Sequence, residues 1–129
     1  MSTSRPLAGE QKADVKAAAQ RYFEGLAQRN LALIPWAAAA TLRTPLNPEG
    51  GSDSVINGRD AICRFFEPML PALAHVETIR FFADEDWATG RALITLANGR
   101  QLHVCDVFHV VNGQIVEQEN YYDPRPALE

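Results

Sequence analysis

The chain has 129 residues, 47% of them hydrophobic and 22% charged, which suits one soluble globular domain built on a single core and leaves little for a second. Its net charge of −4, with 12 Lys and Arg scattered along it, argues against nucleic acid or an anionic membrane as partner, since both require a basic face. The expected ligand is therefore small and neutral or apolar. MSTSRPLAG carries no apolar signal segment, and no stretch has the length of a membrane span, so a cytoplasmic location is expected.

Residues 1–9 read as a flexible tail and residues 10–129 as one α+β domain. Over 10–29, Val15, Ala18, Ala19, Tyr22, Phe23 and Leu26 recur at three- and four-residue spacing, one apolar stripe on a long helix in which only Tyr22 carries a hydroxyl. After a break at Arg29-Asn30, LALIPWAAAA reads as a short second helix with Pro35 near its first turn. TLRTPLNPEGGSDSVING then turns to a short strand and a Pro/Gly/Ser loop. A third helix follows in GRDAICRFFEPML, capped at Asn57 or Gly58, burying Ile62, Phe65, Phe66 and Met69, and ended by Pro68 and Pro71. Beyond it, HVETIRFFA, WATGRALITLA, RQLHVCDVFHVV and QIVEQENYY alternate as strands, separated by ADED, Asn98-Gly99 and Asn112-Gly113. This predicts a cone: a curved antiparallel sheet covered by the N-terminal helix and two shorter ones, a cystatin-like α+β roll.

One acid, Asp106, interrupts the apolar face of the third of these strands, and the Asn112-Gly113 hairpin decides what it meets. A two-residue loop pairs Asp106 with Glu119 and turns Ile115, Glu117, Glu119 and Tyr121 to its face. A three-residue loop, Val111-Asn112-Gly113 with Gly113 as a left-handed bulge residue, pairs it with Gln118 and turns Val116, Gln118, Asn120 and Tyr122 inward. Leu102, Val104, Phe108 and Val110 share the face of Asp106, so that face is the inner one. Burying two further carboxylates there would cost several kcal/mol each if ionised, so we take the second register. It leaves His103, Cys105, Val107 and His109 with Ile115, Glu117, Glu119 and Tyr121 outside, a mixture suited to a homodimer interface.

Asp106, Gln118, Asn120 and Tyr122 thus gather on the inner face, with Tyr22 arriving from the covering helix. A carboxyl in such a place tends to hold its proton, and can then donate a hydrogen bond or relay a proton. The same groups also satisfy a purely structural reading, a buried Asp that receives hydrogen bonds and holds the sheet to the helix. Trp36 and Trp87 suit either a cavity wall or the core. His103 and His109 lie about 20 Å apart along one strand and cannot share a metal ion. Cys63 and Cys105 show no disulfide spacing, and Cys105 has no cationic neighbour in sequence.

With its segments ING-RDAICRFF and DVFHVVNGQIVEQENYYD, the chain resembles, over residues 10–123, the SnoaL-like branch of the nuclear transport factor 2-like superfamily. That branch's relatives include ketosteroid isomerases, polyketide cyclases, scytalone dehydratase and limonene epoxide hydrolase. The resemblance implies a cofactor-free pocket protein. QRYFEGLAQRN is similar to the isomerase segment that carries an oxyanion-hole tyrosine, which implies that role for Tyr22; VCDVFHV implies the protonated oxyanion-hole acid at Asp106. The general base of those enzymes precedes a proline in the first strand, and LRTPL puts Thr44 there, whose hydroxyl cannot abstract a carbon-bound proton near pH 7. The Asp-Arg-Asp array of the epoxide hydrolases would need an arginine where Val104 stands; Arg91 could supply one from the next strand, whose inner face the pattern leaves open. Polyketide cyclases rely largely on one aspartate, a role open to Asp106.

The expected function is that of an isomerase, cyclase or dehydratase acting on an apolar carbonyl or polycyclic compound, without cofactor or metal. Asp106 and Tyr22 are the expected catalytic residues, and Gln118, Asn120, Tyr122, Trp36, Thr44 and Phe108 the expected ligand contacts. The alternative is a non-catalytic domain of the same fold that binds a small ligand or dimerises.

Overall fold

In the computed structural model, which describes residues 9–46 and 55–128 (9–12 by backbone alone), helix α1 spans Gly9–Ala27 and lies across a six-stranded sheet. The strands are β1 (Trp36–Arg43), β2 (Val55–Asn57), β3 (Leu73–Asp84), β4 (Trp87–Leu96), β5 (Gln101–Val111) and β6 (Gln114–Tyr121), in spatial order β2-β1-β6-β5-β4-β3. Helix α2 (Arg59–Phe66) runs into a 3₁₀ turn at Glu67–Ala72, and a four-residue helix, α3, closes the described chain at Arg125–Leu128. The expected α+β roll is therefore present, with one correction: β1 runs parallel to β6, so the sheet is mixed and not wholly antiparallel. The tail, Gly9 apart, and most of the Pro/Gly/Ser loop lie outside the described residues, and Gly9 itself opens α1. No described helix is long and apolar enough to cross a membrane.

All six residues of the helical stripe are buried, from Val15 to Leu26. The helix ends in a Schellman motif: Asn30 N–H donates to Gly25 O and Arg29 N–H to Leu26 O, with Arg29 in the left-handed region at φ 53°. An arginine there costs about 1 kcal/mol relative to glycine. Its guanidinium offsets this by donating to Leu70 O (3.1 Å) and Leu73 O (2.6 Å), so the end of α1 is pinned to the entry of β3.

LALIPWAAAA is not a helix. Leu31–Leu33 make one 3₁₀ turn, Ile34 is already extended before Pro35 (φ −88°, ψ 121°), and β1 begins at Trp36. Alanine's helix propensity is overridden by pairing on both edges, parallel to β6 (Leu42 opposite Gln118) and antiparallel to β2 (Leu42 opposite Ile56). The short side chains have a use: Ala40 is fully buried on a strand that α2 packs against.

The β5–β6 hairpin takes neither simple register. Asn112 (φ 52°) and Gly113 (φ 77°) form a two-residue turn of the mirror-image type, with Val111 opposite Gln114 and Val110 opposite Ile115. A bulge at Val116 then shifts the ladder, so that His109 faces Glu117, Phe108 faces Gln118 and Asp106 faces Asn120. The expected pairing of Asp106 with Gln118 is corrected by two residues. The expected burial of Val116 is corrected as well: Ile115 is fully buried and Val116 half-buried. The inward set Gln118, Asn120, Tyr122 is nevertheless kept, because the extra residue restores the parity that burial of Ile115 had reversed.

On β4 the open question of the inner face is resolved: Ala88, Gly90, Ala92, Ile94 and Leu96 point in, and Arg91 is exposed. Gly90 stands opposite Asp106, and a Cβ on it would lie 2.8 Å from both Phe23 Cε2 and Phe81 Cε1. Gly90→Ala is expected to destabilise the fold by about 1–3 kcal/mol through overpacking. The check is the denaturant midpoint at unchanged slope, and an unchanged midpoint would mean that half-buried Phe81 swings aside instead.

Candidate functional site

Between α1 and the concave face of the sheet lies a cavity of about 370 Å³, within the range of small-molecule pockets. Period-two alternation on β5 aims Leu102, Val104 and Asp106 into it, and β4 adds Ile94 and Leu96. Helix α1 contributes Tyr22 and Leu26, one turn apart on its buried stripe, and α2 with its following turn contributes Phe66 and Met69. The polar groups collect at one end, where Tyr22, Asp106, Asn120 and Tyr122 form a floor to an otherwise apolar chamber.

Asp106 is 2% exposed, and burial pushes its carboxyl up to about 7, while its polar neighbours Asn120, Tyr22 and Gln118 pull the other way. Its Oδ1 has no hydrogen-bond partner among the described residues. The Tyr22 hydroxyl is held well above its ordinary value by burial first and by the Asp106 charge second, so it remains a donor at any physiological pH. Four rings fix its orientation: Phe23, Trp36 and Phe66 meet it edge-on at 4.8, 6.1 and 5.9 Å, and Phe108 tilts against it at 5.5 Å. Burial likewise pushes Tyr122 up to about 12, moderated by nearby Thr44.

The residues expected from the sequence therefore separate into two layers. Tyr22, Asp106, Asn120 and Tyr122 line the cavity, whereas Trp36, Thr44, Phe108 and Gln118 lie behind it, each buried to within 1%. Trp36 stacks on Phe66 at 5.5 Å and donates its indole N–H to Gln118 Oε1 at 2.8 Å. This holds the Gln118 amide beneath the floor, near enough to favour the ionised form of Asp106 but with Nε2 lacking a closed hydrogen bond. Thr44 Oγ1 also lacks one. Among the described residues, these orphaned atoms put the buried unsatisfied side-chain hydrogen-bonding capacity at and beneath one end of the cavity.

Other candidates fall away from the site. Arg91 faces outward, so no arginine joins Asp106 from β4. His109 pairs with Asp86 at 2.7 Å and stacks on Trp87 at 4.5 Å, on the outer face, and no group of metal-ligating side chains occurs among the described residues. The outer face also exposes Trp87, Phe82 and Tyr121. The far end of the cavity escaped the sequence reading: Ala127 and Leu128 of α3 line it. The signal was present in Asp123-Pro124-Arg125, a capping pattern in which Asp123 Oδ1 accepts from Arg125 N–H at 3.0 Å.

No curated protein matches the sequence. Among solved structures the chain is similar to an NTF2-like protein of unknown function from Mesorhizobium loti (TM-score 0.75, 19% identity, 95% of this chain and 99% of that one). It is also similar to a candidate ketosteroid isomerase from Kribbella flavida (0.74, 21% identity, 88% and 80%). A protein of cystatin-like fold from Methylobium petroleophilum aligns comparably (0.73, 16% identity, 92% and 79%). At such identities these likenesses concern the fold. The model of the SnoaL-like domain matches residues 19–118, from the middle of α1 to the inward Gln118 of β6. The chain belongs to the SnoaL-like domain family, and it shares the fold of NTF2-like proteins.

Proposed function

We propose that the protein binds a small apolar carbonyl compound with its oxygen at the Tyr22–Asp106 floor and moves a proton on it, as a cofactor-free isomerase, cyclase or dehydratase would. The observation that carries this is the Asp106 carboxyl, buried at the end of an apolar chamber with one unpartnered oxygen and a pKa of about 7. Such a group is present in both protonation states near neutrality, which suits a proton relay. No other carboxyl lines the cavity among the described residues, and Thr44 cannot replace one, so a single acid/base accounts for the chemistry.

In this reading the ionised Asp106 takes a proton from a carbon next to the carbonyl, and the C–H electron pair passes into the new C=C bond while the C=O pair moves onto oxygen. Tyr22 and Tyr122, both still protonated, donate to the resulting enolate oxygen. The proton now on Asp106 returns to the same or another carbon, and the carboxylate is regenerated. Asn120 beside it and Gln118 beneath stabilise the charged form.

The test is exchange of the α-protons of an apolar cyclic ketone such as 1-decalone in D₂O, followed by ¹H NMR. Exchange should rise with pH around a midpoint near 7 and fall about 100-fold or more in Asp106→Asn. Exchange no faster than buffer, in a protein that binds 2-naphthol, would instead favour the non-catalytic ligand-binding reading, which the threonine at position 44 already recommends.

A further inference from the structure

Resting on that reading of the polar floor, we infer that the cavity accepts an elongated ligand, one oxygen function at Asp106 and Tyr22 and an apolar body running along β5, and that α3 gauges its length. The cavity has a direction. Asp106, Val104 and Leu102 line it in succession on β5, and at about 3.4 Å per residue they span roughly 14 Å. Beyond the Asp106–Asn120 end no polar side chain enters the lining: Ile94 stands beside Leu102, and Leu96 continues toward the β4–β5 turn. There α3 borders the chamber with Ala127 and Leu128.

That wall is held unlike the rest of the fold. A helix of four residues has no stability of its own, and α3 buries none of its side chains. It is positioned by tethers: Asn98 Nδ2, in the β4–β5 turn, donates to Pro126 O at 3.2 Å, and Asp123 takes both the Arg125 backbone N–H and its guanidinium (Nη2–Oδ2 2.6 Å). Leu128 lines the cavity yet is 70% exposed, so an apolar ligand that reaches it takes apolar surface out of water. The segment leading into α3 also joins the floor directly, since Tyr122 immediately precedes Asp123. A ligand long enough to meet Leu128 therefore meets both ends of the segment that follows β6.

The probe is a series of 4-alkylphenols, from phenol itself upward, titrated by calorimetry. Affinity should rise about fourfold per methylene while the chain fills the apolar length, then level off where it meets α3. Leu128→Ala should move that break to longer chains and Leu128→Trp to shorter ones, with phenol binding unchanged. Asn98→Ala, which removes the tether to α3 together with the Asn98 Oδ1–Arg100 N–H bond of the turn and touches no cavity residue, should speed dissociation of the longest phenols several-fold and leave phenol alone; circular dichroism shows that each variant is folded. A break at the same chain length in both Leu128 variants, or no chain-length dependence while phenol binds, overturns the gauge and leaves the polar floor standing. Failure of every phenol to bind overturns the floor and the gauge with it.

Discussion

Asp106→Asn should make the protein more stable at pH 8 while abolishing any proton transfer it performs. Burial holds the folded carboxyl at about 7 against 3.8 for the free side chain. Between those values the folded chain keeps a proton that the unfolded chain releases, so stability falls as pH rises through this window, and the loss is complete above pH 7. Roughly three pH units at 1.36 kcal/mol each make the full cost of order 4 kcal/mol, and about 3 kcal/mol of it develops between pH 5 and pH 8. An asparagine keeps the shape of the neutral acid and never ionises. Urea denaturation of parent and variant at the two pH values should therefore show a gain of about 3–4 kcal/mol at pH 8 and half of that or less at pH 5. A gain equal at both pH values would mean that Asp106 does not titrate in the folded chain between them, and the proton-relay reading would lose its foundation.

The second large effect belongs to a residue outside the cavity lining. Trp36→Ala should cost about 3–5 kcal/mol, because the ring is 1% exposed and stacked on Phe66, and its loss leaves a cavity against Tyr22. Against a total stability of about 5–15 kcal/mol, that approaches unfolding. Trp36→Phe separates packing from hydrogen bonding: it keeps an aromatic over Phe66 but leaves Gln118 Oε1 without its donor, a cost of about 1–3 kcal/mol. The freed amide can then turn its Nε2 fully onto Asp106, so the Asp106 midpoint should move down in the phenylalanine variant. A midpoint that stays put would show that Gln118 is held by something other than Trp36.

Much of this arrangement was legible in the sequence where a period was long and one-sided. The stripe from Val15 to Leu26, the four strands of the meander and the inward side of Asp106 follow from spacing alone. What escaped had physical reasons. LALIPWAAAA carries strong local helix propensity, and only pairing with β6 and β2, distant in sequence, makes it a strand. The alternation on β4 is blurred because Gly90 and two alanines occupy inward positions beneath the bulky Phe23 and Phe81. The division of the candidate residues into a lining and a supporting layer depends on depth behind the sheet, which a period of two does not encode. Thr44 and Asn120 are both expected ligand contacts, yet only Asn120 reaches the cavity.

The bulge at Val116 gives the β5–β6 hairpin a property that its cavity residues do not reveal. From that point on, β6 alternates amides inward (Gln118, Asn120) with carboxylates outward (Glu117, Glu119), two alphabets written on one strand. Straightening the ladder with Val116 kept in it would exchange them, placing Glu119 opposite Asp106 and turning Asn120 out of the cavity without changing one amino acid. A site of this kind can be rewritten by the length of its neighbouring loop as readily as by its composition. Relatives that share the fold can thus diverge in chemistry by a slip of one position, in a strand whose residues scarcely differ.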